Sequence, residues 1–218
     1  SRGLGHQICS DYLKYMQSVS KKYNIDIKDR QLACAPFDSI EGARYFKAMG
    51  CAVNFAMANR ECLSHWIILE FEKLFGKSHE KMGMELIYDL SHNVAKVEQH
   101  IIDGKKRILC VHRKGATRSF GPGVEFIPED YSSIGQPVII PGDMGRYSYI
   151  MTGTNMAMTE SMGSSCHGAG RLLSRTSAKR KVVGIELKKE LLHDKGIIVL
   201  SPSMSGLAEE APIAYKDV

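Results

Sequence analysis

ELIYDLSHNVAKVEQHIIDGKKRILCVHRKG, residues 85–115, is where the apolar period of this chain changes. Upstream, apolar residues recur at helical spacing; from Met84 they alternate, as in strands that bury one face. Asp103 and Gly104 interrupt the alternation and predict a tight turn between two strands.

Working upstream, residues 5–23 carry a helical stripe of Ile8, Tyr12, Leu13, Met16 and Val19. Residues 38–76 predict one long helix or two. Asp38 stands as N-cap with Glu41 in the capping-box place, Gly50 as a break and Gly76 as a stop. Downstream, QPVIIPGDMGRYSYIMTG at 136–153 predicts two short strands around a Pro-Gly turn. Residues 174–196 predict a basic helix interrupted at Gly184, and IIVLSPS at 197–203 a last strand. Helices precede sheet, so the expected class is α+β, with the first helices packed on a mixed or antiparallel sheet region in one domain over 1–218.

Composition narrows the field. The chain has 218 residues, 44% of them hydrophobic, enough for a substantial core. No apolar run approaches the ~20 residues of a membrane span, and no signal peptide opens the chain, so no membrane partner is expected. The six cysteines contain no CxxC pair, which fits reduced thiols in a cytoplasmic protein. The net charge of +5 is compatible with a nucleic-acid partner but does not identify one.

The stretch richest in chemistry is SMGSSCHGAGRLLSR, residues 161–175. His167 precedes a Gly-Ala-Gly turn, with Arg171 and Arg175 four and eight residues on. Glycines let a phosphate approach backbone N–H groups, a helix opening near Ala169 would favour the same anion, and the arginines would neutralise it. A plain turn beside a core histidine fits the same letters. In HRKGATR, residues 112–118, Arg113, Lys114 and Arg118 read either as a solvated turn or as a phosphate lid. Residues 171–189 hold seven Lys or Arg against one Glu, which suits a solvated helix face and an RNA path equally. The methionines at 151–162 suit packing.

Taken in order, SRGLGH (1–6), SHNVAKVEQH (91–100), VHRKGATRSFGPG (111–123), PGDMGRYSYIMTGT (141–154), SSCHGAGRLLSR (164–175) and GLAEEAPIAYKDV (206–218) resemble the RtcB family of RNA ligases over essentially the whole chain. The resemblance implies joining of RNA 3′-phosphate or 2′,3′-cyclic phosphate ends to 5′-hydroxyls, in tRNA splicing or RNA repair. GTP is then the co-substrate, Mn2+ the cofactor and RNA the partner, with an archease-type activator as a further candidate. It implies His167 as the nucleophile that takes up GMP and His92 as a metal ligand. It places the nucleotide at Asn93, Lys114, Pro141, Gly142, Asp143, Met144, Ser148, Gly168, Ala169, Gly170 and Arg171. Asp143 departs from the hydroxyl residue common in the family; a carboxylate cannot donate to a phosphate, so it would accept from guanine or ribose, or hold its own loop. Asn59, Arg60, Arg113, Arg118 and Arg175 are the candidate RNA contacts, against a polar helix face for the first two. The family carries an Asp, a Cys and a His upstream as metal ligands and a lysine-bearing tail downstream, so these residues read as part of a longer catalytic domain. Two rival readings are a metal-dependent phosphohydrolase or nucleotidyltransferase on the same scaffold, and a non-catalytic RNA-binding remnant.

Overall fold

A computed structural model describes residues 2–217; Ser1 of the SRGLGH stretch and Val218 lie outside the described residues. The chain divides into two compact units, one made of residues up to 89 with Val94–Val97, the other of Leu90–Asn93 with residues from 98 onward.

The first unit is helical. Helix α1 (Arg2–Lys22) turns inward the stripe read from the sequence: Met16 and Val19 are buried, and Ile8, Tyr12 and Leu13 half-buried. Helix α2 (Ile40–Phe75) runs unbroken for 36 residues. Gly50 therefore interrupts nothing; one glycine costs about 1 kcal/mol in a helix interior, which a helix of that length absorbs. The N-cap is Ser39, one residue later than Asp38, with its hydroxyl accepting from the Gly42 N–H at 3.0 Å. Glu41 closes no capping box. Its carboxylate accepts instead from Lys22 Nζ at 2.6 Å and Tyr23 OH at 2.8 Å, fastening α2 to the end of α1. Gly76 ends α2 in the left-handed conformation, as expected.

The second unit holds the strands apart from Val94–Val97. β1 (Asn93–Ile102) and β2 (Lys105–Lys114) form a hairpin. Asp103 and Gly104 have φ of 50° and 72°, the pair of positive values that a type I′ turn requires. Residues 85–92 alternate in sequence yet form no strand; β1 starts at Asn93, and no other strand runs beside the earlier residues among those described. β3 (Ala116–Arg118) pairs antiparallel with β6 (Ser164–Cys166), and β4 (Pro137–Ile140) with β5 (Tyr149–Thr152). Among the described residues the sheet component is thus three separate two-stranded ladders within an α+β fold. Short helix α3 (Asn155–Glu160) links β5 to β6.

The C-terminal part is α4 (Arg175–Lys181), α5 (Gly184–Lys195) and α6 (Met204–Glu209). The break expected at Gly184 falls at residues 182–183, and Gly184 begins α5. Leu187, Leu191, Leu207 and Ala211 form its core, with Met144, Ile197 and Val199 packed on them. Residues 197–203 are not a strand. Ile197 and Val199 face the core while Ile198 and Leu200 face outward, but no ladder partner lies beside them among the described residues. The six cysteines are free thiols, and among the described residues no helix is long and apolar enough to cross a membrane.

The Glu41 contacts carry a pH signature. The Lys22 hydrogen bond first, then backbone and Tyr23 hydrogen bonds, lower its carboxyl from 4.5 to about 2. A carboxyl lowered on folding stabilises the fold above its unfolded value, and the gain is lost as pH falls through the folded one. Glu41→Gln is therefore expected to be less stable than wild type at pH 6, with the gap closing between pH 4.5 and about 2. Urea unfolding of both proteins across that range measures it, and a gap constant with pH would refute the assignment.

Candidate functional site

The β3/β6 ladder sets the site. Its register pairs Arg118 with Ser164, Thr117 with Ser165 and Ala116 with Cys166. One step further brings Gly115 beside His167: a Cβ on Gly115 would lie 3.5 Å from His167 Nε2. The Gly115 N–H donates to Asn93 Oδ1 at 3.2 Å, which fastens the start of β1 to the same turn. His92 therefore stands next to His167, with ring centroids 5.0 Å apart. His92, Asn93, Lys114 and His167 are all exposed. Three sequence segments that were separate candidates meet here.

A second loop closes on the first. Pro141 follows β4, and its carbonyl accepts from the Ala169 N–H at 2.9 Å. Gly168 has φ of 141°, and a Cβ there would come within 2.8 Å of the same oxygen, so only glycine sits without strain. The Gly142 N–H donates to Ser148 Oγ at 3.2 Å. Asp143 Oδ1 accepts from the Gly145 N–H at 2.9 Å, and Oδ2 lies 3.2 Å from Arg146 Nε. With its side chain 1% exposed, Asp143 holds its own loop. Lys195 Nζ donates to the Gly145 carbonyl, and Met144 packs on the Leu187/Leu191 core.

Two expectations about anion binding change. No helix opens near Ala169; the next helix, α4, starts at Arg175. The Ala169 N–H is committed to Pro141, so neither a helix N-terminus nor that amide is available to a phosphate.

The cations divide by exposure. Lys114 is exposed, whereas the Arg113 side chain is 1% exposed and bonded on all sides, which corrects its reading as an RNA contact. Arg118 donates to Gln136 Oε1 at 3.0 Å and lies over the Phe120 ring. Arg171 donates to Leu173 O, Glu210 Oε2, Tyr215 OH and Glu209 O, and stacks on the Tyr215 ring. With Gly170 O accepting from the Lys216 N–H, it ties the HGAGR loop to the APIAYK segment. Tyr215 OH also donates to Glu210; that bond first, then Arg171 and Arg175, holds the Glu210 carboxyl below its ordinary value against the effect of burial. Arg175, largely exposed, approaches Glu209 and Glu210. Asn59 lies half-buried on α2 of the first unit, and Arg60 there forms a bidentate pair with Asp89. Sequence reasoning did not single out Glu98, Glu210 or Tyr215; each lies inside a quoted motif, but nothing local shows that its partner is a distant arginine.

Among the described residues no group of three or more His, Cys, Asp or Glu stands close enough to hold a metal ion. His92 and His167 offer two imidazoles, fewer than the three or four protein ligands a transition-metal site takes. The donor set on these residues thus does not by itself fit Mn2+.

The class these features define is an α+β protein that presents an exposed histidine between two glycine-bearing loops. The family model described as "tRNA-splicing ligase RtcB" matches residues 1–218. The tRNA-splicing ligase RtcB of Methanococcus maripaludis is 57% identical over the whole chain, which covers 45% of that protein. Its counterpart in Archaeoglobus fulgidus is 55% identical over 99% of the chain and 45% of its own length. That of Methanocaldococcus jannaschii is 55% identical over the whole chain, which covers 22% of it. The chain belongs to the RtcB family, and it spans less than half the length of these relatives.

Gly168→Ala tests the loop closure. Backbone strain of this kind costs about 1–3 kcal/mol, and the clash with Pro141 O pushes the loops apart. Chemical denaturation is expected to show a loss of that size, and an unchanged midpoint would refute the closure.

Proposed function

We propose that the protein to which these residues belong is a GTP-dependent RNA ligase that joins 3′-phosphate or 2′,3′-cyclic phosphate ends to 5′-hydroxyl ends, with His167 as nucleophile. The relatives' name, tRNA-splicing ligase, supplies the reaction class. The observation that carries the role of His167 is its exposed ring beside His92, between Gly115 and the Gly168/Pro141 closure.

A neutral imidazole nitrogen is a competent nucleophile near pH 7. His167 attacks the α-phosphorus of GTP, the bond from that phosphorus to the bridging oxygen breaks, and pyrophosphate leaves. The GMP on His167 passes to an RNA 3′-phosphate. An RNA 5′-hydroxyl then attacks the activated phosphate, GMP departs and the strand is sealed. A cyclic phosphate end is first opened by water. Lys114 offers an exposed cation beside the Gly115 turn, and Asn93 holds that turn through its Oδ1. Mn2+ belongs to this proposal with His92 as one ligand, where a divalent ion would offset triphosphate charge; no group of three or more His, Cys, Asp or Glu that could hold it stands among the described residues, so no step is assigned to it. We take residues 1–218 as one part of the catalytic domain.

The full-length protein, incubated with radiolabelled GTP and Mn2+, is expected to carry a label that acid removes and alkali spares, as for a phosphoramidate. His167→Ala is expected to abolish it. Full labelling of that variant would overturn the nucleophile; GTP turnover without any labelled protein would instead indicate a phosphohydrolase. His92→Gln separates the metal role from a structural one. It is expected to weaken Mn2+ binding and labelling, with stability changed by no more than about 1 kcal/mol. Parallel loss of folding and labelling would assign His92 to the scaffold.

A further inference from the structure

The most heavily bonded side chain near the site is Arg113. Its Nη1 and Nη2 donate to Glu98 Oε1 and Oε2 at 2.8 and 2.9 Å, a bidentate pair linking β2 to β1. Its Nε donates to Ser164 Oγ at 2.9 Å, and Nη2 also reaches Met162 O at 2.8 Å. Glu98 has His100 Nε2 3.1 Å from its second oxygen. Both members of the pair are nearly sealed from water, at 1% and 5% side-chain exposure. Burial alone would raise the Glu98 carboxyl, but the hydrogen bonds from Arg113 and His100 outweigh it and hold it below the ordinary value, as a charged partner.

What Arg113 grips is unusual. Met162 and Gly163 have φ of 52° and 61°, two successive left-handed residues just before β6. A methionine rarely adopts that conformation. Any other residue at 163 would be strained, since a Cβ there would lie 2.5 Å from Phe120 Cδ1 and 2.8 Å from Met158 Sδ. The Gly163 carbonyl accepts from the Ser119 N–H at 2.7 Å, and Arg113 holds the Met162 carbonyl and the Ser164 hydroxyl. Three residues after Ser164 the chain reaches His167, and two residues after Arg113 it reaches Gly115, which faces His167. One guanidinium therefore fastens both strands that flank the histidine.

We propose that the buried pair of Glu98 and Arg113 is the positioning device of His167, setting the turn at 162–163 and the start of β6 so that the imidazole meets its electrophile in line; this rests on the guanylation reading above. A buried ion pair is a poor source of stability, since well-packed apolar residues of similar volume often replace one at no cost. What such residues cannot do is fix the Met162 and Gly163 carbonyls, 2.8 and 3.3 Å from Nη2, and the Ser164 hydroxyl. Arg113 and Glu98 are positioning residues, not catalytic ones.

The test uses the full-length protein and the charge-free double variant Glu98→Leu/Arg113→Met, with Arg113→Lys and Ser164→Ala beside it. Thermal unfolding, half-saturating GTP and the single-turnover labelling rate at saturating GTP are measured. A displacement of about 1 Å at a reacting atom costs on the order of 100-fold in rate. The double variant is expected to unfold within a few degrees of wild type and to half-saturate within about threefold, with labelling at saturating GTP slowed about 100-fold. Arg113→Lys keeps the charge but loses the fork, and is expected to fold without recovering the rate. Ser164→Ala, which removes one bond to β6, is expected to slow labelling about tenfold. Wild-type rates in the folded double variant overturn the proposal. If the double variant does not fold, wild-type rates in folded Arg113→Lys and Ser164→Ala do so. Absence of labelling in the wild-type protein would instead overturn the guanylation reading.

Discussion

Three residue pairs, Ala116–Arg118 against Ser164–Cys166, are the constraint on which the site depends. Gly115 and His167 lie at the same end of this ladder, so its register decides what the histidine faces. A slip by one residue would invert the faces of the strand and exchange His167 for Cys166 at that position. So short a ladder has little stability of its own. It is reinforced at the other end by the Gly163 carbonyl, which accepts from Ser119, and by Arg113.

The surface around His167 differs from the simplest reading of HGAGR. A helix N-terminus would have supplied a fixed dipole, but the residues after His167 form an irregular loop held by backbone bonds to Pro141 and to Ala214. Glycine at 168 serves the close approach of two backbones. Under the proposed guanylation, charge neutralisation would fall to side chains, of which Lys114 is the exposed one nearest in sequence to the Gly115 turn.

The basic residues show how little a charge says until its partner is known. Arg113 and Lys114 are adjacent in sequence, yet one is sealed on Glu98 and the other faces water. Side chains alternate across a strand, so neighbours in β2 point to opposite faces. Arg171, which suited a phosphate contact by its spacing from His167, binds the segment around Tyr215 instead.

Local chemistry was enough to read much of the chain. The α1 stripe, the Gly76 stop, the hairpin turn at Asp103 and Gly104, and the β4/β5 pair all depend on contacts a few residues apart, which periodicity and turn chemistry express directly. The resemblance to the RtcB family also grouped His92, Asn93, the Pro141 loop and His167, and the structure brings these segments close together. Other features depended on partners far along the chain. Residues 85–92 and 197–203 alternate like strands but lack a neighbouring edge among the described residues, and a strand exists only where another chain segment completes its hydrogen bonds. Glu41 had the spacing of a capping box, but Lys22 and Tyr23 offered its carboxylate stronger, charged partners. Arg113 and Glu98, 15 positions apart in sequence, became a buried pair because the hairpin placed them on one face. Burial and pairing are properties of the assembled chain, and that is why tertiary structure alone separated the cation buried on Glu98 from the cation that faces solvent.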